Sequence, residues 1–80
     1  MNTQEIFQTI CTHAREVIAD LDTHEFQFDD ALKDLGANSI DRSEIVMMTL
    51  ESLELNIPLV EIVSAENIGE LSELLSQKLQ

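Results

Sequence analysis

"LGANSIDRSEIVMMTLESLELNIP", residues 35–58, is the stretch on which the fold turns. Asn38 and Ser39 are helix-starting residues, and Asn56, Ile57 and Pro58 form a break. The spacing therefore predicts a helix from Asn38 or Ser39 to about Leu55. On a wheel of about 100° per residue, Ile45, Val46, Thr49, Leu50 and Leu53 gather on one side, the face for a core. Ile40, Glu44, Met47 and Glu51 fall on the other, with Met48 beside them. Core packing is the usual fate of a methionine, yet Met47 stands opposite the seam of Val46, Leu50 and Leu53, where a partner could reach it.

Upstream, Ile6, Phe7, Ile10, Cys11, Ala14, Val17, Ile18 and Leu21 recur at three- and four-residue steps, which predicts an amphipathic helix from Thr3 to about Asp20. His13 borders its apolar stripe, and nothing pairs it or His24 with a nucleophile or a metal set, so both read as structural. Residues 22–38 lose the period, with at most one helical turn at Asp30 to Asp34. A loop this long is uncommon unless it is functional or packed by its own side chains. Phe26, Phe28, Leu32 and Leu35 could tie it to the helices.

Downstream of Pro58, Leu59 to Val63 allow only a short helix or turn. Asn67 then caps a last helix, with Glu70 three residues on as in a capping box and Ile68, Leu71, Leu74, Leu75 and Leu79 as its stripe. The expectation is an all-α domain spanning residues 1–80. It is a small four-helix bundle of three long helices and a short third one, with a long first loop.

Composition narrows the function. Eighty residues bury roughly 60% of their extended-chain surface, too little for a large catalytic cleft. Sixteen acids against four bases give a net charge of -12, which repels nucleic-acid phosphates and anionic lipid headgroups. The same acidity serves either as a solvated surface or as a face steering toward basic patches on proteins. One cysteine, Cys11, cannot close an internal disulfide and sits in the apolar pattern, where a buried inert thiol is the common case. No run approaches a membrane span or a signal peptide, so the chain reads as cytoplasmic. Asp29 and Asp30 could meet a cation, but no spaced oxygen-ligand loop accompanies them, and no metal is expected.

Ser39 stands in the first turn of the second predicted helix, where unpaired N–H groups and the helix dipole favour an anion such as phosphate. Gly36 permits positive φ and a sharp turn before it. Taken alone, Gly-x-x-Ser is weak, and an N-cap role for Ser39 or Asn38 would explain it. A hydrolase is unsupported, because no Gly-x-Ser-x-Gly elbow exists and no His follows Ser39.

The whole combination is more specific. A Gly-x-x-Ser-Ile helix start after a long loop, an acidic second helix, a short third helix after Ile-Pro and a chain of 80 acidic-rich residues together resemble the acyl carrier protein family. The resemblance covers the whole chain and implies a monomeric carrier that catalyses nothing. It makes Ser39 the attachment site for 4'-phosphopantetheine, installed from coenzyme A by a phosphopantetheinyl transferase. It implies docking through the second helix, by Ile40, Asp41, Arg42, Glu44, Met47 and Glu51. Family members commonly have Asp before the serine, whereas Asn38 stands here. Arg42 is a second departure, a cation in a helix's first turn with no evident local gain.

Residues 35–62, followed by "NIGELSELL", look most like the stand-alone donor carriers of polyketide β-branching cassettes. That resemblance implies an acetyl or malonyl thioester delivered to a hydroxymethylglutaryl synthase-like enzyme. An acyltransferase and a ketosynthase-like decarboxylase would act upstream. Asn38 and Arg42 would then help the partner tell donor from acceptor carriers. A carrier for fatty-acid synthesis or for an aminoacyl ligase stays open, as does an unmodified acidic adaptor in which Ser39 is only a cap.

Overall fold

The computed structural model describes residues 2–62 and 64–79. Three α-helices, α1 (Thr3–Val17), α2 (Ser39–Leu53) and α3 (Ile68–Lys78), carry the architecture, and there is no strand among the described residues. The expected all-α class is met. The short third helix takes a tighter form, a three-residue 3-10 turn at Leu59–Glu61 that follows the fixed φ of Pro58. Val63, where that helix was expected to end, lies outside the described residues.

α1 begins at a full capping box. Asn2 Oδ1 accepts from the Glu5 N–H at 2.8 Å, and Asn2 N–H donates to the Glu5 carboxylate at 3.0 Å. Such a cap stabilises a helix by about 1 kcal/mol. Ile6, Phe7, Ile10, Cys11 and Ala14 are buried on its inner stripe. α1 stops three residues before the expected Asp20, because Ile18 turns extended and a 3-10 turn at Ala19–Leu21 follows to bury Leu21. α2 likewise stops at Leu53. Glu54 adopts a left-handed φ of 56°, and Leu55 N–H reaches back to the Leu50 carbonyl at 2.9 Å.

Both other helices pack chiefly on α1 and touch each other little. Ile45, Leu50 and Leu53 of α2 and Ile68, Leu71 and Leu75 of α3 share one core with the α1 stripe, and Thr49 of α2 is buried as well. Val46 is only partly buried at its edge. Two buried hydroxyls are satisfied locally, Thr49 by the Ile45 carbonyl and Ser72 by the Ile68 carbonyl, both at 2.8 Å. His13 is shared between Glu16 on its own helix and the Ser52 hydroxyl of α2, each at 2.8 Å, which is the structural role expected of it. Burial pushes the Cys11 thiol up to about 11, so it stays protonated and inert.

The long first loop is packed by its own side chains. Phe26 and Leu32 are buried and Leu35 is partly so, while Phe28 stays 47% exposed yet rests its ring 4.5 Å from that of Phe7. The helical turn expected at Asp30 to Asp34 forms slightly later, as a 3-10 turn at Leu32–Leu35. A polar staple closes the loop: Asp30 accepts from the Gln27 N–H at 2.8 Å and pairs with His24 at 3.1 Å. Arg15 donates to the His24 carbonyl and lies over the Phe26 ring. The loop is then pinned to α3, whose first two N–H groups, those of Ile68 and Gly69, donate to the carbonyls of Asp30 and Phe28 at 2.9 and 2.7 Å.

Candidate functional site

Sparse contact between α2 and α3 leaves an open groove of about 810 Å³ between them. Val46, Ile62, Ile68 and Leu71 give it an apolar floor, and the first loop and the 59–67 connection form its sides. Ser39 stands on its rim at the first position of α2, exposed to solvent.

Local chain geometry puts it there. Gly36 takes φ 98°, the left-handed region open to glycine, and turns the chain out of the Leu32–Leu35 turn. Ala37 is buried, and its N–H donates to the Leu32 carbonyl at 3.1 Å, fixing the exit. Asn38 is the cap: its Oδ1 accepts from the Asp41 N–H at 2.8 Å, and its own N–H reaches the Asp41 carboxylate at 3.4 Å. The capping work therefore falls to Asn38 and Asp41, and the Ser39 hydroxyl is left for other chemistry. An adaptor in which Ser39 is only a cap loses its premise.

The outer stripe of α2 lies as its spacing predicts. Ile40 is 76% exposed and Met47 54%, with Glu44 and Glu51 exposed between and beyond them and Asp41 half-buried by the cap. Arg42 departs from expectation in one respect. Its position has a local gain after all, since its guanidinium Nη1 donates to the Ala37 carbonyl at 2.8 Å, bracing the turn that carries Ser39.

Two residues near this surface escaped the sequence reading. Val60 is 74% exposed beside the groove, because a 3-10 turn sends Leu59 and Ile62 inward at a three-residue step and leaves the residue between them outside. The signal was available in the spacing of Leu59 and Ile62. Lys33 lines the groove together with Arg42 and Ser39. The sharp turn at Gly36 was legible in the sequence, but not that it would set Lys33 beside Arg42 and Ser39.

The site fits a phosphodiester-linked arm: an exposed hydroxyl free of capping duty, the positive end of a 15-residue helix, and an apolar-floored groove alongside. Such a helix bundle with a serine presented at the head of α2 has the form of a carrier of tethered groups. The family described as phosphopantetheine attachment site matches residues 8–75, a span that contains Ser39. A polyketide biosynthesis acyl-carrier protein, AcpK, of Bacillus subtilis (strain 168) is 48% identical over all of this chain and 98% of its own length. A chain in the crystal structure of the curacin biosynthetic pathway HMG synthase in complex with acetyl donor-ACP superposes with a TM-score of 0.93 at 39% identity. The match covers 96% of this chain and 99% of that one.

The chain belongs to the phosphopantetheine-attachment family, as an acyl carrier protein. Members of this family are carriers, not catalysts, and bear a covalent 4'-phosphopantetheine. No helix among the described residues is long and apolar enough to cross a membrane.

Proposed function

We propose that residues 1–80 act as one carrier domain whose Ser39 accepts the 4'-phosphopantetheine arm and delivers an acetyl or malonyl group to a hydroxymethylglutaryl synthase-like enzyme in polyketide β-branching. The observation that carries the first half is the Ser39 hydroxyl, exposed at the head of α2 and relieved of capping by Asn38. The likeness to AcpK and to the acetyl donor-ACP chain supports the second half.

The chain's own contribution is presentation. Ser39 Oγ would attack the pantetheine-side phosphorus of coenzyme A, forming the phosphodiester as the P–O–P bond breaks and adenosine 3',5'-bisphosphate leaves, with the hydroxyl proton taken up by the phosphopantetheinyl transferase. The arm supplies the thiol that holds the acyl group as a thioester, a role closed to the buried Cys11. Docking then falls to α2: Ile40 and Met47 give apolar area, and Asp41, Glu44 and Glu51 meet Arg or Lys on the enzyme. Arg42 adds the one cation of that face, which an acidic residue on the right partner would meet. Val60 extends the apolar area across the groove mouth. An acyltransferase and a ketosynthase-like decarboxylase would load and trim the group before delivery, with the cytoplasm as the setting.

The test is the intact mass after incubation with coenzyme A and a broad-specificity transferase, followed by acetyl transfer to an enzyme of the hydroxymethylglutaryl synthase type. One added phosphopantetheine in the parent and none in Ser39→Ala supports the attachment site. Loading without any transfer to that enzyme would leave a carrier for fatty-acid synthesis or an aminoacyl ligase, which malonyl transferase and adenylating enzymes would separate.

A further inference from the structure

Arg42 has more hydrogen-bonding capacity than its one contact uses. A guanidinium offers five N–H donors in a rigid planar fork, and here one bond at 2.8 Å goes to the Ala37 carbonyl. No carboxylate pairs with Arg42 or with Lys33 among the described residues, although sixteen acids crowd the chain. Arg15 and Lys78, the other two cations, are committed, one to the His24 carbonyl and the Phe26 ring, the other to Glu61 at 2.6 Å.

Position matters as much as capacity. Ser39 and Arg42 are three residues apart on α2, hence neighbours on one face, and both line the groove. A cation in a helix's first turn opposes the dipole. A neutral carbonyl needs no arginine to satisfy it. An anion at Ser39 would reverse the sign of that local cost, and the carbonyl contact already holds the guanidinium in place, so less side-chain freedom is lost when the anion arrives. The acids that line the groove, Asp29, Asp34 and Glu66, would push an anionic group away from their own side.

We propose that Arg42 is a positioning residue for the prosthetic arm, its guanidinium braced on the Ala37 carbonyl and gripping the phosphodiester at Ser39. This rests on Ser39 as the attachment site. It assigns Arg42 an intramolecular task that is complete before any partner docks.

The experiment compares apo and holo protein by NMR, after mass spectrometry has verified one arm per chain. No mass gain in the parent means that Ser39 attachment has failed, a result separate from anything that follows. In loaded parent protein, the Arg42 Nε–Hε resonance should shift and its solvent exchange should slow several-fold relative to apo, a comparison that needs no variant. The 31P resonance of the phosphodiester should move in Arg42→Gln and in Arg42→Lys, which keeps the charge and loses the fork, and should stay in place in Lys33→Gln. An unchanged Arg42 Nε–Hε signal on loading overturns the proposal. So does a 31P shift that ignores Arg42→Gln, or one that Lys33→Gln moves equally, since the groove's overall charge would then be the cause. A role confined to bracing the turn would perturb the Ala37 and Asn38 amides equally in apo and holo Arg42→Gln and leave the phosphorus unmoved.

Discussion

The heads of α2 and α3 are built alike and used differently. Each has an asparagine cap accepting at 2.8 Å from the N–H of an acid three residues on, Asp41 in one and Glu70 in the other. At α3 the next donors are consumed, because the N–H groups of Ile68 and Gly69 are taken by carbonyls of the first loop. At α2 no such plug exists among the described residues: the N–H groups of Ser39 and Ile40 meet no backbone carbonyl, and the serine faces solvent. One helix start is spent on holding the loop, and the other is kept open for a ligand. The difference lies in tertiary packing, since the two local sequences, "NSID" and "NIGE", obey the same capping rule.

The largest effects should come from exchanging those two uses. Ser39→Ala removes the one group the open end presents, so phosphopantetheine loading should be lost completely. Its stability should change by less than about 0.5 kcal/mol, the usual range for surface positions, because Asn38 remains as cap. Intact mass together with a urea melt reads both. Gly69→Ala strikes the plugged end. A Cβ there would lie 2.7 Å from the Phe28 carbonyl oxygen and 3.0 Å from its ring, so the loop must retreat and the bond from Gly69 N–H is strained. We expect a loss of about 1–3 kcal/mol of unfolding free energy, read as a lower urea midpoint at unchanged slope, net of the better helix propensity of alanine, with loading still intact. Wild-type stability in Gly69→Ala would mean that the loop is not clamped on α3 in solution.

How far the sequence disclosed this contrast depends on the range of the interaction. Periodicity named the core faces of all three helices: Ile6, Ile10 and Ala14 of α1, Ile45, Thr49, Leu50 and Leu53 of α2, and Ile68, Leu71 and Leu75 of α3 are buried as the spacing expects, while Val17, Ile18, Val46, Leu74 and Leu79 of the same stripes are only partly buried. Met47 and Ile40 were legible on the same ground, as residues the seam leaves out. Helix ends were less legible: α1 and α2 stop two or three residues early because Ile18 and Glu54 leave the helical region, choices made by what the following turn can bury. Ser39 could be singled out by position, but its freedom from capping needed the Asn38–Asp41 geometry. The bond from Arg42 to Ala37 and the clasp between Gly69 and Phe28 join residues through the path of an irregular loop, for which no period exists. Gly69, within the first turn of α3, is a point of closest approach that periodicity gives no means to single out.

Smaller effects should come from the two caps. Asn38→Ala and Asn67→Ala each delete a bond of the same length and type, and each should cost about 1 kcal/mol. Their further consequences should diverge. Without its cap, the α2 head loses the acceptor of its Asp41 N–H and has no loop carbonyl to hold it, so hydrogen exchange should quicken at Asp41 and Arg42 and loading should slow. The α3 head keeps its two loop carbonyls, so exchange at Ile68 and Gly69 should stay near the parent rate. Equal fraying at both heads would show that the loop contacts contribute little to holding α3.

The least effect, and the most selective, concerns acid. Asp30 holds the loop's plug in shape, with its side chain bonded to the Gln27 N–H and to His24 and its carbonyl bonded to the Ile68 N–H. The Gln27 N–H first, and then the His24 hydrogen bond, hold its carboxyl below the ordinary carboxylate value. A carboxyl depressed in the folded state binds its proton more weakly than in the unfolded chain. Its contribution is therefore complete above the unfolded value of about 3.9 and is lost as pH falls from there through the lower folded value. Asp30→Asn keeps an acceptor oxygen for Gln27 but removes the charge, so it should flatten this acid-side segment of the stability curve while leaving neutral-pH loading at Ser39 unchanged. Hydrogen exchange measured across that pH window should show the loss first at Gln27, Ile68 and Gly69, and later or not at all at Asp41. Simultaneous loss at both heads would mean that the acid response comes from the chain's overall negative charge, with no privileged role for the plug.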